Sequence, residues 1–190
     1  SNHDVMRHAS RWTEGEADPL AFLKVISALL LALRGSVCLY QGEELGLTEA
    51  DLSFEDLRDP YGIRFWPEFK GRDGCRTPMV WEADVLNAGF STERPWLPIS
   101  VEHAEKAVSR QFGVADSLLE HYRRVLAFRR SFPAFAKGEI EFLAVDGDGL
   151  AFTRRLGNEE IICAFNLGAT PVVLDLGAVR AGQPLTGHGL

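Results

Sequence analysis

The amino-acid sequence predicts an α/β region followed by a small all-β region. Three observations carry this. An apolar helical stretch near the start runs straight into a short, non-alternating apolar segment. A long aromatic-rich stretch and a second helix come next. From Gly138 onward the chain breaks into short strand-like runs separated by glycine turns.

The first helix is expected to open at Asp18-Pro19. Asp can cap the free backbone N–H groups, and Pro suits the first turn. Leu20, Leu23, Ile26, Leu30 and Leu33 recur at helical spacing, and Phe22, Val25, Leu29 and Leu31 fill much of the other side. A helix that apolar is buried over most of its surface, and Gly35 supplies a stop. Ser36–Tyr40 then reads as a strand buried on both faces, as in a parallel sheet. It ends in the polar Gln41-Gly42-Glu43-Glu44. Helix, glycine turn, buried strand and polar strand end make the αβ unit of a barrel or a doubly wound sheet.

Residues 42 to about 103 show no long periodic pattern. They hold Tyr61, Phe65, Trp66, Phe69, Trp81, Phe90 and Trp96, too many aromatics for disorder. They read as an ordered loop that covers or lines a site, or as one whose aromatics pin it to the core. Helical patterns return near 103–112 and over 117–131, where Ser117 and Glu120 have capping-box spacing and Phe132-Pro133 ends the run. Glu139–Leu143, Leu150–Arg154, Glu159–Phe165 and Pro171–Leu176 read as strands of a β-sandwich, with turns at Gly147-Asp148-Gly149, Gly157-Asn158 and Gly168. The boundary falls at Ala136–Gly138, giving domains 1–136 and 137–190.

Bulk properties narrow the function classes. The 190 residues are 46% hydrophobic and 25% charged, with net charge -7 and mixed signs. Only Arg123-Arg124 and Arg129-Arg130 are dense basic groups, and they read as a solvated helix face rather than a nucleic-acid footprint. Cys38, Cys75 and Cys163 form neither a zinc pattern nor a CxxC pair, so reduced thiols in a cytoplasm are expected. No cofactor or metal ligand set is evident. The apolar run at 20–33 is too short to span a bilayer. The chain opens Ser1-Asn2-His3-Asp4 without an initiator Met, and reads as starting in the middle of a longer protein.

Asn2-His3-Asp4 is a compact polar trio, which alone fits a surface turn. In a (β/α)8 barrel, polar residues at strand C-termini build the active site, and Asp4 and Glu43 would then share one face. Four stretches resemble the α-amylase family of glycoside hydrolases, and within it the α-glucosidase and oligo-1,6-glucosidase group. They are Ser1-Asn2-His3-Asp4-Val5-Met6-Arg7-His8, Gly35–Gly46 (GSVCLYQGEELG), Asp56-Leu57-Arg58-Asp59-Pro60, and Gly71–Trp81 (GRDGCRTPMVW). The order matches, and Val80 is a mild departure where relatives often have Pro or Gln.

The resemblance implies the C-terminal part of a (β/α)8 TIM barrel, with its last strand at Ser36–Tyr40 and flanking helices, followed by a small antiparallel β-sandwich. It implies that Asp4 grips sugar hydroxyls and stabilises the transition state, and that His3 and Asn2 bind the same sugar. Arg76 would contact the sugar beyond the cleaved bond, or else brace the loop through an ion pair. Retaining glycosidases use two carboxyl groups about 5 Å apart, and in the family both follow earlier strands, upstream of Ser1. Glu43 and Glu44 would be structural. This chain alone is therefore expected to be inactive. An oligosaccharide or α-glucoside is the implied partner, and the apolar barrel surface of helix 20–33 is a candidate for self-association. A sugar isomerase or transglycosylase of the trehalose or isomaltulose synthase type, a non-catalytic accessory relative, and a free carbohydrate-binding module at 138–190 are the alternatives. The last would lack an exposed aromatic platform if Phe142, Phe152 and Phe165 are core.

Overall fold

A computed structural model of the chain describes residues 1–143, 145, 147–174 and 182–188. Its regular elements are α1 (His8–Trp12), α2 (Pro19–Ala32), α3 (Pro60–Phe65), α4 (Val101–Glu105), α5 (Val108–Gln111), α6 (Leu118–Ser131), α7 (Pro133–Lys137), β1 (Glu139–Leu143), β2 (Gly149–Leu156) and β3 (Glu159–Asn166). By compactness the chain divides into two units, Ser1–Leu23 with Cys38–Glu120, and Lys24–Val37 with His121–Leu190. This differs from the division expected at Ala136–Gly138. A short helix that the sequence hides behind Phe132-Pro133, α7, lies against β2 and β3.

The first unit is built on aliphatic side chains. Leu45, Leu47, Val80, Ala88 and Ala107 form one buried cluster, and Leu52, Leu57 and Leu97 form another. The long stretch after Gly42 folds into short helical turns at Glu43–Leu45, Phe54–Asp56, Asp73–Cys75 and Leu86–Gly89, with α3 between them. Its aromatics are mostly not core: Tyr61, Phe65, Phe69, Trp81 and Trp96 are exposed. Most of them therefore do not pin it to the core, although Trp66 packs against Leu52, Leu57 and Leu97. Aliphatic burial and backbone hydrogen bonds do that work.

His103 is a buried tie in this unit. Its Nε2–H donates to the Thr48 carbonyl (3.0 Å), and its Nδ1 faces the Thr77 hydroxyl (3.4 Å). Burial pushes its pKa below the ordinary value, partly offset by the Thr48 hydrogen bond. The unfolded chain then binds the extra proton first. The stability His103 contributes is present above about pH 6.5 and lost as pH falls through the folded value. The drop in Tm between pH 7 and pH 5 should be smaller in His103→Gln than in the wild type, as read by thermal unfolding. An equal drop in both would exclude His103 as its source.

The helix starts follow local chemistry. Asp18 Oδ1 accepts from Ala21 N (3.0 Å), so α2 is capped where expected. Ser117 accepts from Glu120 N (3.2 Å), but Glu120 Oε1 accepts from Gly113 N (2.9 Å), and Ser117 N donates to the Val114 carbonyl. Only half of the anticipated capping box forms, because the backward turn at 113–117 presents a nearer free donor. The helical stretch at 103–112 is two short helices, α4 and α5, rather than one.

In the second unit β1, β2 and β3 form an antiparallel sheet in that order. Leu156 pairs with Glu159, leaving Gly157-Asn158 as a two-residue turn. Gly157 has φ +59°, as the first position of a type II′ turn requires. Central β2 is buried on both faces over Ala151–Arg154, and β3 alternates, burying Ile161, Cys163 and Phe165. The expectation for Phe142 is corrected. It touches the buried Phe152 ring but is 60% exposed, on a β1 that is an edge strand among the described residues. The fourth run, at 171–176, forms no strand over 171–174, and 175–176 lie outside the described residues. The second sheet of a sandwich is therefore not seen among the described residues.

Two arginines close the C-terminal end of α2 within this unit. Arg129 donates to the carbonyls of Leu31, Leu33 (2.9 Å) and Gly35 (2.6 Å), which corrects its reading as a solvated charge. Arg154 is fully buried and donates to the carbonyls of Ala32 (2.5 Å), Ala134 (2.9 Å), Gly138 (3.0 Å) and Glu139 (3.3 Å). Cations at helix C-termini meet the negative end of the peptide dipoles.

The largest correction concerns Ser36–Tyr40. It is not a doubly buried inner strand: it pairs with no strand among the described residues, and Cys38 is exposed. A parallel strand exists only through its neighbours' backbone groups, and these residues supply none.

Candidate active site around Asp4

The site lies wholly in the first unit and is built on the turn at Asn2–Val5. Asn2 and Val5 form an isolated antiparallel bridge, and Asn2 Oδ1 accepts from Asp4 N (2.8 Å). Asn2 thus shapes the turn that presents His3 and Asp4, both exposed. Behind it stands Arg7, a fully buried guanidinium. Arg7 donates to the carbonyls of Gln41 (2.7 Å) and Cys75 (3.1 Å), its backbone N–H donates to Glu49 Oε2 (3.1 Å), and it lies over the Tyr40 ring. Two distant segments, at 40–41 and at Cys75, meet on this one side chain.

Asp4 and Arg76, both singled out by the motifs, are in direct contact. Arg76 Nη2 donates to Asp4 Oδ1 (2.9 Å), and Arg76 Nε to the His3 carbonyl (2.7 Å). Trp96 Nε1 donates to the Arg76 carbonyl (3.0 Å), fixing that backbone. A second guanidinium, Arg72, donates through Nη1 to the same Asp4 Oδ1 (3.0 Å). His3 Nε2 lies 3.3 Å from the other oxygen, Oδ2. One carboxylate oxygen is therefore engaged by two cations, and the other faces His3 at an exposed edge.

Sequence reasoning quoted Arg72 and Asp59 within motifs but gave them no part. Asp59 is buried, and Arg72 grips it side-on: Nε to Oδ2 (2.8 Å) and Nη2 to Oδ1 (3.0 Å), with Arg72 N to Oδ2 (2.8 Å). The Arg72 hydrogen bond holds the Asp59 carboxyl well below the usual range despite burial, so it stays anionic. The one signal in the sequence was Asp59-Pro60, a helix-start pair like Asp18-Pro19. Asp59 does cap α3, accepting from Tyr61 N (3.2 Å).

Glu43, which the barrel argument placed on Asp4's face, is buried and structural. It accepts from Tyr40 N (3.2 Å), and it lies 3.4 Å from His8 Nδ1. Burial pushes its pKa up, and the hydrogen bond to His8 pulls it down. Among the described residues no group of three or more His, Cys, Asp or Glu is placed to hold a metal ion. Cys38, Cys75 and Cys163 are free thiols. No helix among the described residues is long and apolar enough to cross a membrane.

A carboxylate held by paired arginines on a turn, next to a histidine, thus stands at an exposed edge of the first unit. Residues 1–138 match the family described as "Alpha amylase, catalytic domain", and the chain belongs to that family. It is 56% identical over 189 residues to a probable alpha-glucosidase of Rhizobium meliloti (strain 1021), covering 100% of this chain and 34% of that protein. It is 33% identical over 193 residues to an oligo-1,6-glucosidase of Heyndrickxia coagulans, covering 92% and 35%. Among solved structures it resembles an alpha-glucosyl transfer enzyme with TM-score 0.82 at 47% identity, over 98% of this chain and 36% of that one. It also resembles isomaltulose synthase from Erwinia rhapontici NX5, with TM-score 0.73 at 28% identity, over 88% and 33%. The chain spans about a third of the length of the curated relatives it matches.

Proposed function

We propose that this chain is part of a retaining α-glucosidase that hydrolyses terminal α-linked glucose from oligosaccharides. In this reading Asp4 is the transition-state-stabilising carboxylate, and His3, Asn2 and Arg76 bind the sugar. The single observation that carries it is the Asp4–Arg76 contact at 2.9 Å, beside the exposed His3. The glycosidic transition state carries positive charge on the sugar ring. A fixed carboxylate oxygen close to that charge stabilises it most when its position is set before reaction. Asp4 Oδ1 is pinned by two guanidinium groups, which leaves Oδ2 as the oxygen for the ligand. The nucleophile and the acid/base are assigned to the rest of the longer protein, and the reduced thiols fit a cytoplasmic enzyme.

A second reading has one specific observation behind it: solved relatives include an alpha-glucosyl transfer enzyme and isomaltulose synthase. Under it, the same site hands the glucosyl group to a sugar hydroxyl instead of water. Purified full-length enzyme should release α-glucose first from an aryl α-glucoside and from maltooligosaccharides, as followed by NMR. Products with new glycosidic linkages and little free glucose would favour the second reading, and no attack on any α-glucoside would sink both. The isolated 190-residue chain should give no turnover in the same assay. Turnover by it would place the nucleophile among these residues after all.

A further inference from the structure

We infer that Asp59 is a positioning residue of this site: a buried carboxylate that acts through Arg72 to fix the orientation and the available charge of Asp4. The inference rests on the role proposed for Asp4 but names a different residue and a different device.

Arg72 has three side-chain nitrogens, and each has one assignment. Nε and Nη2 are committed to Asp59, and Nη1 alone reaches Asp4. The side-on fork to a carboxylate is the most orienting contact an arginine makes. The Tyr61 ring lies against the guanidinium, 5.3 Å from its carbon to the ring centroid. Asp59 is itself immobilised: its backbone N–H donates to Asp73 Oδ2 (2.7 Å), as does that of Arg58 (2.6 Å). The backbone beneath is equally constrained. A Cβ on Gly62 would lie 2.5 Å from the Lys70 carbonyl oxygen. One on Gly71 (φ +79°) would lie 2.8 Å from Gly62 Cα and 3.0 Å from Asp59 Oδ2. Two glycines therefore permit the close approach that brings Arg72 onto Asp59.

This arrangement matters because it divides one cation between two anions. With Asp59 in place, Arg72 can give Asp4 only a single end-on hydrogen bond. Without it, both terminal nitrogens are free to close a bidentate pair on Asp4. That pair would claim Oδ2 and neutralise the charge a cationic transition state needs. Asp59 thus holds Arg72 back as much as it holds it still. It touches no substrate in this scheme.

The test uses the full-length enzyme with Asp59→Asn, Arg72→Met and the double variant, measuring kcat, KM and thermal unfolding on an aryl α-glucoside. Asp59→Asn should lower kcat on the order of 100-fold, the cost of a misplaced catalytic group, with KM changed less than about threefold. In the Arg72→Met background it should change kcat by less than about twofold, because the residue through which it acts is gone. Independent, multiplicative losses in the double variant, or an unchanged kcat in Asp59→Asn, would overturn the inference. Should Asp59→Asn fail to fold, Arg72→Lys should show the same loss in kcat at nearly wild-type Tm, and wild-type kcat there would also overturn it. If the wild-type enzyme attacks no α-glucoside, the functional reading fails instead. The positioning claim is then decided by the crystal structure of Asp59→Asn. Arg72 closed on both Asp4 oxygens supports it, and an unmoved single contact refutes it.

Discussion

Full-length enzyme carrying Asp4→Asn should lose roughly 10²- to 10³-fold in kcat on an aryl α-glucoside, the usual cost of removing one preorganised electrostatic stabiliser. The substitution keeps size and one carbonyl-type acceptor, so Arg72 and Arg76 can still find an oxygen. What it removes is the negative charge. A neutral amide opposes no positive charge on a sugar ring, and its NH2 group, if turned toward the arginines, repels both. Ground-state affinity should change far less than kcat, since the charge develops only in the transition state. A variant with kcat within a few-fold of wild type would remove Asp4 from the catalytic role and leave it as a loop brace.

The second large effect is on stability. Arg154→Leu should destabilise the second unit by roughly 3–5 kcal/mol, from the loss of charge-assisted hydrogen bonds and the stranding of their buried acceptors. Four carbonyls, those of Ala32, Ala134, Gly138 and Glu139, accept from this one guanidinium. Two of them, at Ala32 and Ala134, belong to the helices α2 and α7. Summing each separately would exceed the range given, but water entering the gap would satisfy some of them. Arg154→Lys should recover less than half, because an ammonium cannot reach both directions of the fork. Chemical denaturation resolves the outcome, and a loss below about 1 kcal/mol would mean that solvent already serves these carbonyls.

Arg154 also shows where sequence reading stops. A charged residue in a strand pattern reads as solvent-facing, and nothing local reveals that it fills the space under two helix ends. The features that were legible are local. Asp18-Pro19 opens α2, the apolar spacing marks α6, and Gly157-Asn158 turns the hairpin, each through contacts within a few residues. Ser36–Tyr40 pairs with no strand among the described residues; strand identity is a property of pairs, and apolar composition alone cannot say whether a partner is present. The site divides the same way. Asp4 and Arg76, 72 positions apart, were joined through family motifs rather than through any spacing rule. Asp59 and Arg72 were missed because their pairing depends on a Gly62–Gly71 approach that only coordinates display.

The buried Arg7 has a dynamic consequence. Its side chain fastens the opening turn to the carbonyls of Gln41 and Cys75, and its backbone N–H fastens it to Glu49. Segments latched to a common centre exchange their amide hydrogens as a single foldon. The backbone presenting His3 and Asp4 should therefore open together with the segments at 40–41 and Cys75, a coupling that hydrogen exchange reads.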